Sequence, residues 1–175
     1  MEYRELKLTT QFDKSVVCTF TGNRPKSLPW ESEMDERAVA VKERLRVEVE
    51  RAINSGKILF VCGMAEGADM YFCETVIALK EKYPHILLEG ALPYPEPDKY
   101  RSDYERARYA RAIEKCDFVS TISPVGSKFA PLKRNRYMVD KSSLLFALNY
   151  SDRGGTVYTM DYAKQKGVEI IKINK

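Results

Sequence analysis

Six short apolar runs, at residues 16–20, 58–62, 86–92, 118–122, 144–148 and 168–173, alternate with longer segments in which apolar side chains recur every three or four residues. This alternation restricts the fold more than any other feature. A run such as Ile58-Leu-Phe-Val61 is continuous, branched and aromatic, as expected of a strand covered on both faces. Between the runs, Ala38, Val41, Leu45, Val49 and Ala52 trace one face of a helix, and Ala68, Phe72, Thr75, Val76 and Leu79 trace another. Strands alternating with helices imply right-handed crossovers and a three-layer α/β fold around a mostly parallel sheet of about six strands. The expected organisation is one domain over residues 15–175, behind a poorly tied lead-in at residues 1–14.

A chain of 175 residues is long enough for a substantial core. No apolar run approaches the roughly 18–20 residues needed to span a bilayer. Residues 1–8 lack the apolar centre of a signal peptide. A cytoplasmic protein with no membrane partner is therefore expected. Cys18, Cys62, Cys73 and Cys116 form no Cys-x-x-Cys pair, and His85 is the only histidine. The thiols read as small buried apolar groups, and no metal site or histidine-based triad is expected. The net charge of +4 is too mild to argue for nucleic acid by itself.

Candidate binding residues sit where strands give way to helices. Gly63 and Gly67 flank a turn after the second run, with Asp69 in the first turn of the helix that follows. A helix N-terminus there presents free N–H groups and a positive dipole to an anion, above all a phosphate. The spacing is neither the dinucleotide fingerprint nor a P-loop. Taken alone, an ordinary strand-to-helix turn accounts for it equally well. After the first run, Thr21-Gly22-Asn23-Arg24 offers a sharp turn, a hydroxyl, an amide and a guanidinium suited to phosphate. Trp30 reads either as a lid over a base or as a cap on the core. In the proline-stiffened loop 92–99, Tyr94 and Glu96 are candidate contacts, although simple chain reversal explains the loop too.

Residues 98–115, with six basic and four acidic side chains, read as a solvated helix. Residues 126–141 differ, with five basic residues against Asp140 alone. There Lys133-Arg-Asn-Arg-Tyr-Met-Val-Asp140 reads as a loop feeding a helix, its arginines placed to clamp phosphates and Asn135 and Tyr137 to orient a base or sugar. A plain basic surface face is the other account of it. Gly154, Gly155 and Thr156 form a further glycine turn, before a helix expected to carry Val157, Met160 and Ala163 inward. One such turn arises easily by chance. Three at the carboxyl edge of a parallel sheet, with arginines, point to a phosphorylated ligand.

Thr21-Gly-Asn-Arg-Pro25, Gly63-Met-Ala-Glu-Gly-Ala-Asp69, Arg134-Asn-Arg-Tyr-Met-Val-Asp140 and Gly154-Gly-Thr156 resemble, in order and spacing, the YpsA-like family of the SLOG superfamily, which also holds DprA and the LOG cytokinin-activating enzymes. The resemblance runs from about Ser15 to Ile173. It implies a Rossmann-like fold and a pocket for a nucleotide or nucleotide-derived ligand of the ADP-ribose or NAD type. It also implies a link to bacterial stress or cell division. Carried over by position, the ligand-facing set is Thr21, Gly22, Arg24, Gly63, Gly67, Asp69, Arg134, Asn135, Arg136, Asp140, Gly154, Gly155 and Thr156. The family often shows histidine where Asn23 stands here. LOG enzymes carry a glutamate shortly after their Gly-Gly-x-Gly-Thr, whereas Gly154-Gly-Thr156 is followed by Val157, Tyr158 and Thr159. That removes the acid expected to assist N-glycosidic cleavage.

The reading these features favour is a binding or sensor module for a nucleotide-like small molecule, with no catalytic residue assigned and oligomeric state left open. A nucleotide N-glycosidase, with Glu66 or Asp69 as base and Arg136 on the sugar phosphate, is one alternative. Single-stranded DNA binding through residues 128–141, as in DprA, is the other.

Overall fold

The computed structural model describes residues 12–174. The expectation for residues 1–11 lies outside the described residues. The last of the lead-in is tied down: the Asp13 side chain accepts from Ser15 N at 2.8 Å and caps a 3-10 turn at Lys14–Val16. Phe12 meets Phe118 edge-on, 6.5 Å between ring centres.

Six strands follow: β1 (Val17–Gly22), β2 (Leu59–Cys62), β3 (Leu87–Leu92), β4 (Phe118–Thr121), β5 (Leu144–Leu148) and β6 (Glu169–Lys172). They form one sheet in the order β4-β3-β2-β1-β5-β6, and every pairing is parallel. Five helices connect them: α1 (Glu36–Asn54), α2 (Ala68–Lys82), α3 (Asp103–Lys115), α4 (Ala130–Asp140) and α5 (Gly155–Gln165). This is a three-layer α/β, Rossmann-like architecture. From β1 to β4 the chain steps one way across the sheet. From β4 it returns past β1 to β5 and steps on to β6. Right-handed crossovers then put α1, α2 and α3 on one face and α4 and α5 on the other.

Two core layers result. Cys18, Phe20, Phe60, Cys62, Leu88 and Phe146 alternate onto the α1–α3 side. Phe72, fully buried on α2, stacks on Phe20 at 5.1 Å and tilts against Phe60 and Phe146. The opposite face carries Val17, Leu59, Val61 and Ala91 beneath Met138, and Leu145 and Ala147 beneath Met160 and Ala163. Trp30 belongs to the core: its Nε1 donates to the Tyr71 hydroxyl at 3.1 Å and its ring meets Tyr150 edge-on.

Three local expectations need correction. The stretch from Lys133 lies wholly within α4, which starts at Ala130 with Pro131 in its first turn, so its arginines sit on a helix and not on a loop. In α5 the buried side chains are Thr156, Thr159, Met160 and Ala163, while Val157 is only half-buried. In α2, Thr75 is half-buried, whereas Asp69, Met70, Tyr71 and Cys73 are buried, because neighbouring helices and the sheet enclose its first turns on all sides.

The α1–α3 layer is laced by ion pairs. Arg108, buried on α3, donates to Glu33 at 2.7 Å and to Glu74, while Lys42 reaches Glu33 at 2.6 Å. Burial pushes the Glu33 carboxyl up, but hydrogen bonds from Arg108 and Lys42 outweigh it and hold the group below its ordinary value of 4.5. A carboxyl depressed in the folded state adds stability above its unfolded value and loses it as pH falls through the folded one. Urea denaturation is therefore expected to show stability falling on acidification below pH 4.5, and Glu33→Gln should flatten that fall. At neutral pH the same substitution should cost about 1 kcal/mol.

Candidate functional site

In an all-parallel sheet every strand presents its carboxyl end to the same edge. The connections leaving β1 and β5 there depart to opposite faces, and a crevice opens between them. It holds about 310 Å³. Thr21 and Gly22 at the end of β1 form one wall, continued by Arg24 and Lys26. Gly154, Gly155 and Thr156 at the start of α5 form the opposite wall, with Arg153 before them. Ala65 and Asp69 come from the turn into α2, and Arg134 and Asn135 from α4.

The glycine turns differ sharply in what they face. Gly154 takes φ +112° as the N-cap of α5, and no side chain caps that helix. A Cβ built on Gly154 or Gly155 meets nothing within 4 Å. The first N–H groups of α5 have no intrahelical partner, so this end of the helix is open to an anion. The start of α2 is closed. Ala68 N donates to Asn23 O at 3.1 Å, and Asp69 sits in the first turn. Gly67 has φ +86°, and a Cβ there would lie 2.9 Å from Asn23 O. Its glycine admits the protein's own chain. The same holds for Gly63, where a Cβ would lie 2.9 Å from both the Arg134 guanidinium and Asp69 Oδ2.

Arg134 is 4% exposed on the inner side of α4. Its Nη1 donates to Gly63 O and, at 3.3 Å, to Ala91 O, tying together the chain just past β2 and the end of β3. Its Nε donates to Asn135 Oδ1 at 2.8 Å. Burial pushes the guanidinium down, opposed by the charge of Asp69. Burial pushes the Asp69 carboxyl up, opposed by Arg134 and by an N–H bond from Ala65 at 3.0 Å.

Further along α4, Tyr137 and Lys141 reach down to Glu89, which is fully buried on β3. Lys141 Nζ lies 3.0 and 3.1 Å from the two carboxylate oxygens. Arg136 and Asp140 point elsewhere. Arg136 lies between the rings of Tyr158 and Tyr162, and Asp140 accepts from the Tyr162 hydroxyl at 2.7 Å. Both link α4 to α5, and neither lines the crevice.

Asn23 is a strut. Its amide donates to Asn149 Oδ1 at 3.2 Å and accepts from Tyr150 N at 2.6 Å, and Asn149 bonds on to Ser151 and Asn174. The ladder fixes the spacing between the β1 and β5 ends of the crevice. Of the residues singled out from sequence, Thr21, Gly22, Arg24, Asp69, Arg134, Asn135, Gly154, Gly155 and Thr156 line one cleft. Gly63 lines an adjoining hollow, and Gly67 lies behind the wall. Lys26, Ser27 and Arg153 escaped the sequence reading. The signal for Arg153 was its place directly before the glycine pair.

The cations segregate. On the α1–α3 side, Arg37, Lys42, Arg44, Arg46, Arg51, Lys80, Lys82 and Arg108 all have carboxylate partners. Among the described residues, Arg24, Lys26 and Arg153 have no carboxylate within 4 Å, so the crevice keeps a net positive charge, with Asp69 the one carboxylate in its lining. Among the described residues, no group of three His, Cys, Asp or Glu side chains is placed to hold a metal, and no helix is long and apolar enough to cross a membrane.

The family model YpsA, a YspA SLOG family, matches residues 18–173. The chain belongs to that family. It is 32% identical over 138 residues to the uncharacterized SPbeta prophage-derived protein YoqJ of Bacillus subtilis, covering 71% of this chain and 81% of that one. A UPF0398 protein of Halalkalibacterium halodurans is 28% identical over 153 residues, covering 86% and 81%. Among solved structures, DNA processing protein A from Helicobacter pylori, reported with a single-stranded DNA binding mode, superposes with a TM-score of 0.60 at 15% identity, over 96% of this chain and 68% of that one. DprA from Streptococcus pneumoniae superposes with a TM-score of 0.58, over 94% and 51%. These likenesses establish a shared fold.

The contrast between the glycine turns of this SLOG chain is directly measurable. Gly67→Ala combines a disfavoured φ with a backbone collision and should lower stability by about 1–3 kcal/mol in urea unfolding. Gly155→Ala adds a methyl group in open space on a helix and should leave stability unchanged or raise it by up to about 1 kcal/mol.

Proposed function

We propose that this chain is a cytoplasmic binding or sensor module for a nucleotide or nucleotide-derived ligand of the ADP-ribose or NAD type, with a phosphate seated at the N-terminus of α5. One observation carries the reading. The uncapped start of α5, with Gly154 and Gly155 facing open space, lies across the switch-point crevice from cations that lack carboxylate partners. Helix N-terminus and guanidinium groups are complementary to the same dianion. Membership of the SLOG family agrees with a nucleotide-derived ligand, and sensing such a ligand is the route by which this chain would act in bacterial stress or division. The N-glycosidase alternative has less support. Of its two candidate bases, Asp69 is held by Ala65 N beside Arg134 while Glu66 lines the adjoining hollow, and the Arg136 it needs on the sugar phosphate is turned toward α5.

Thermal unfolding with AMP, ADP-ribose, NAD and inorganic pyrophosphate tests the reading. A ligand at about a hundredfold its Kd adds roughly 2.7 kcal/mol, which for a chain of this size raises Tm by about 5–10 °C. Arg153→Ala should weaken that ligand by about tenfold or more. No shift across the whole panel rejects the proposal.

Single-stranded DNA is the second reading, favoured by one surface. Lys128 and Lys133 are exposed beside Phe129, which is 57% exposed, at the mouth of α4. On that reading oligonucleotide affinity falls steeply with added salt. Failure to bind at low salt dismisses it.

A further inference from the structure

The carboxyl edge carries a second hollow of about 250 Å³. It shares Arg24, Ala65, Pro131 and Arg134 with the first, so the two are adjoining lobes along that edge. Each lobe alone lies near or below the roughly 300 Å³ at which ligand sites begin, and together they fall well inside the usual range.

The two lobes differ in chemistry. The first offers cations and a helix end. The second is walled by Tyr94, Pro97 and Tyr100 from the connection between β3 and α3, and by Glu66 from the turn before α2. Tyr94 is half-buried, and Gly126 of the next turn lies behind it, where a Cβ would be 3.6 Å from the ring. That ring is a fixed wall. Tyr100 is 92% exposed at the rim, with the Lys99 ammonium 5.6 Å from its ring centre. Few neighbours hold it, in contrast to Tyr94.

Arg101 also lines this lobe. Its Nη2 donates to Met64 O at 2.8 Å, holding a residue with φ +60°, and its guanidinium lies 5.0 Å from the Tyr109 ring. Its Nη1 is buried and has no partner; Glu105 Oε2 is the other such atom among the described residues. A buried donor without an acceptor is unusual in a native protein and is satisfied when a ligand supplies one. Glu66, the carboxylate of this lobe, makes no ion pair among the described residues. A ring amine or sugar hydroxyl can donate to it, and the Arg101 donor beside it suits a ring nitrogen or carbonyl.

We infer that the second lobe is a ring-binding subsite. It takes the planar, uncharged ring of the ligand whose phosphate occupies the first lobe, stacked against Tyr100 and Tyr94, with Glu66 accepting hydrogen bonds from it. The inference rests on the phosphate reading above and adds the residues that select for the rest of the molecule.

Calorimetric titration separates the two lobes, using ribose 5-phosphate, which has no base, together with AMP and ADP-ribose. In the wild-type protein at least one of the base-bearing compounds should bind about tenfold tighter than ribose 5-phosphate, the scale of base–aromatic stacking. Tyr100→Ala, at an exposed position, should abolish that advantage while leaving the ribose 5-phosphate Kd within about twofold. A uniform loss across all three compounds, or no loss for AMP and ADP-ribose, overturns the inference. If ribose 5-phosphate binds in an Arg153-dependent way and the base adds nothing, only the subsite falls. If none of the three binds, the phosphate reading falls with it.

Discussion

The hand of the crossovers governs this molecule. Each parallel connection must turn to the right, so the direction in which the chain steps across the sheet decides which face its helix covers. β1 lies where that direction reverses, with β2 on one side and β5 on the other. The chain leaving β1 and the chain leaving β5 are therefore driven apart, and no helix can roof the gap between them. The crevice follows from topology before any side chain is chosen.

Side chains then decide what the gap is worth. Two kinds of polar group meet there. Arg134 and Asn23 are spent on the frame: one satisfies carbonyls at the ends of two strands, the other bridges two loops. Arg24, Lys26 and Arg153 stand outside the frame and keep their charge for the space between. A buried arginine bonded to its own backbone and a rim arginine in water look alike in a motif, yet only the second can be given to a ligand without loosening the fold.

The layers of the fold were legible because burial on both faces is written in composition. Strands such as Leu144–Leu148 contain nothing else. Their limits shift by one residue, as at Ile58 and Val168, or by two at the end of β1, which runs on to Gly22. The site was legible in position and less so in role. A glycine announces that something comes close without saying what. At Gly67 it is Asn23 O, and at Gly155 it is open space. The run from Arg134 to Asp140 looked like a ligand clamp because its charges are dense. Its residues divide by helical phase, with Arg134 and Tyr137, and Lys141 just beyond, meeting polar groups of the sheet while Arg136 and Asp140 meet α5. That phase was hidden by expecting a loop there.

The partition of cations has a consequence at long range. One helical layer neutralises its own charge through carboxylate partners, so much of the molecule's surplus of +4 is concentrated toward the other side. Such a particle has an electrical front and back. A polyanion drifting nearby is turned toward the front before it touches anything, and its arrival rate depends on ionic strength even where its residence time does not.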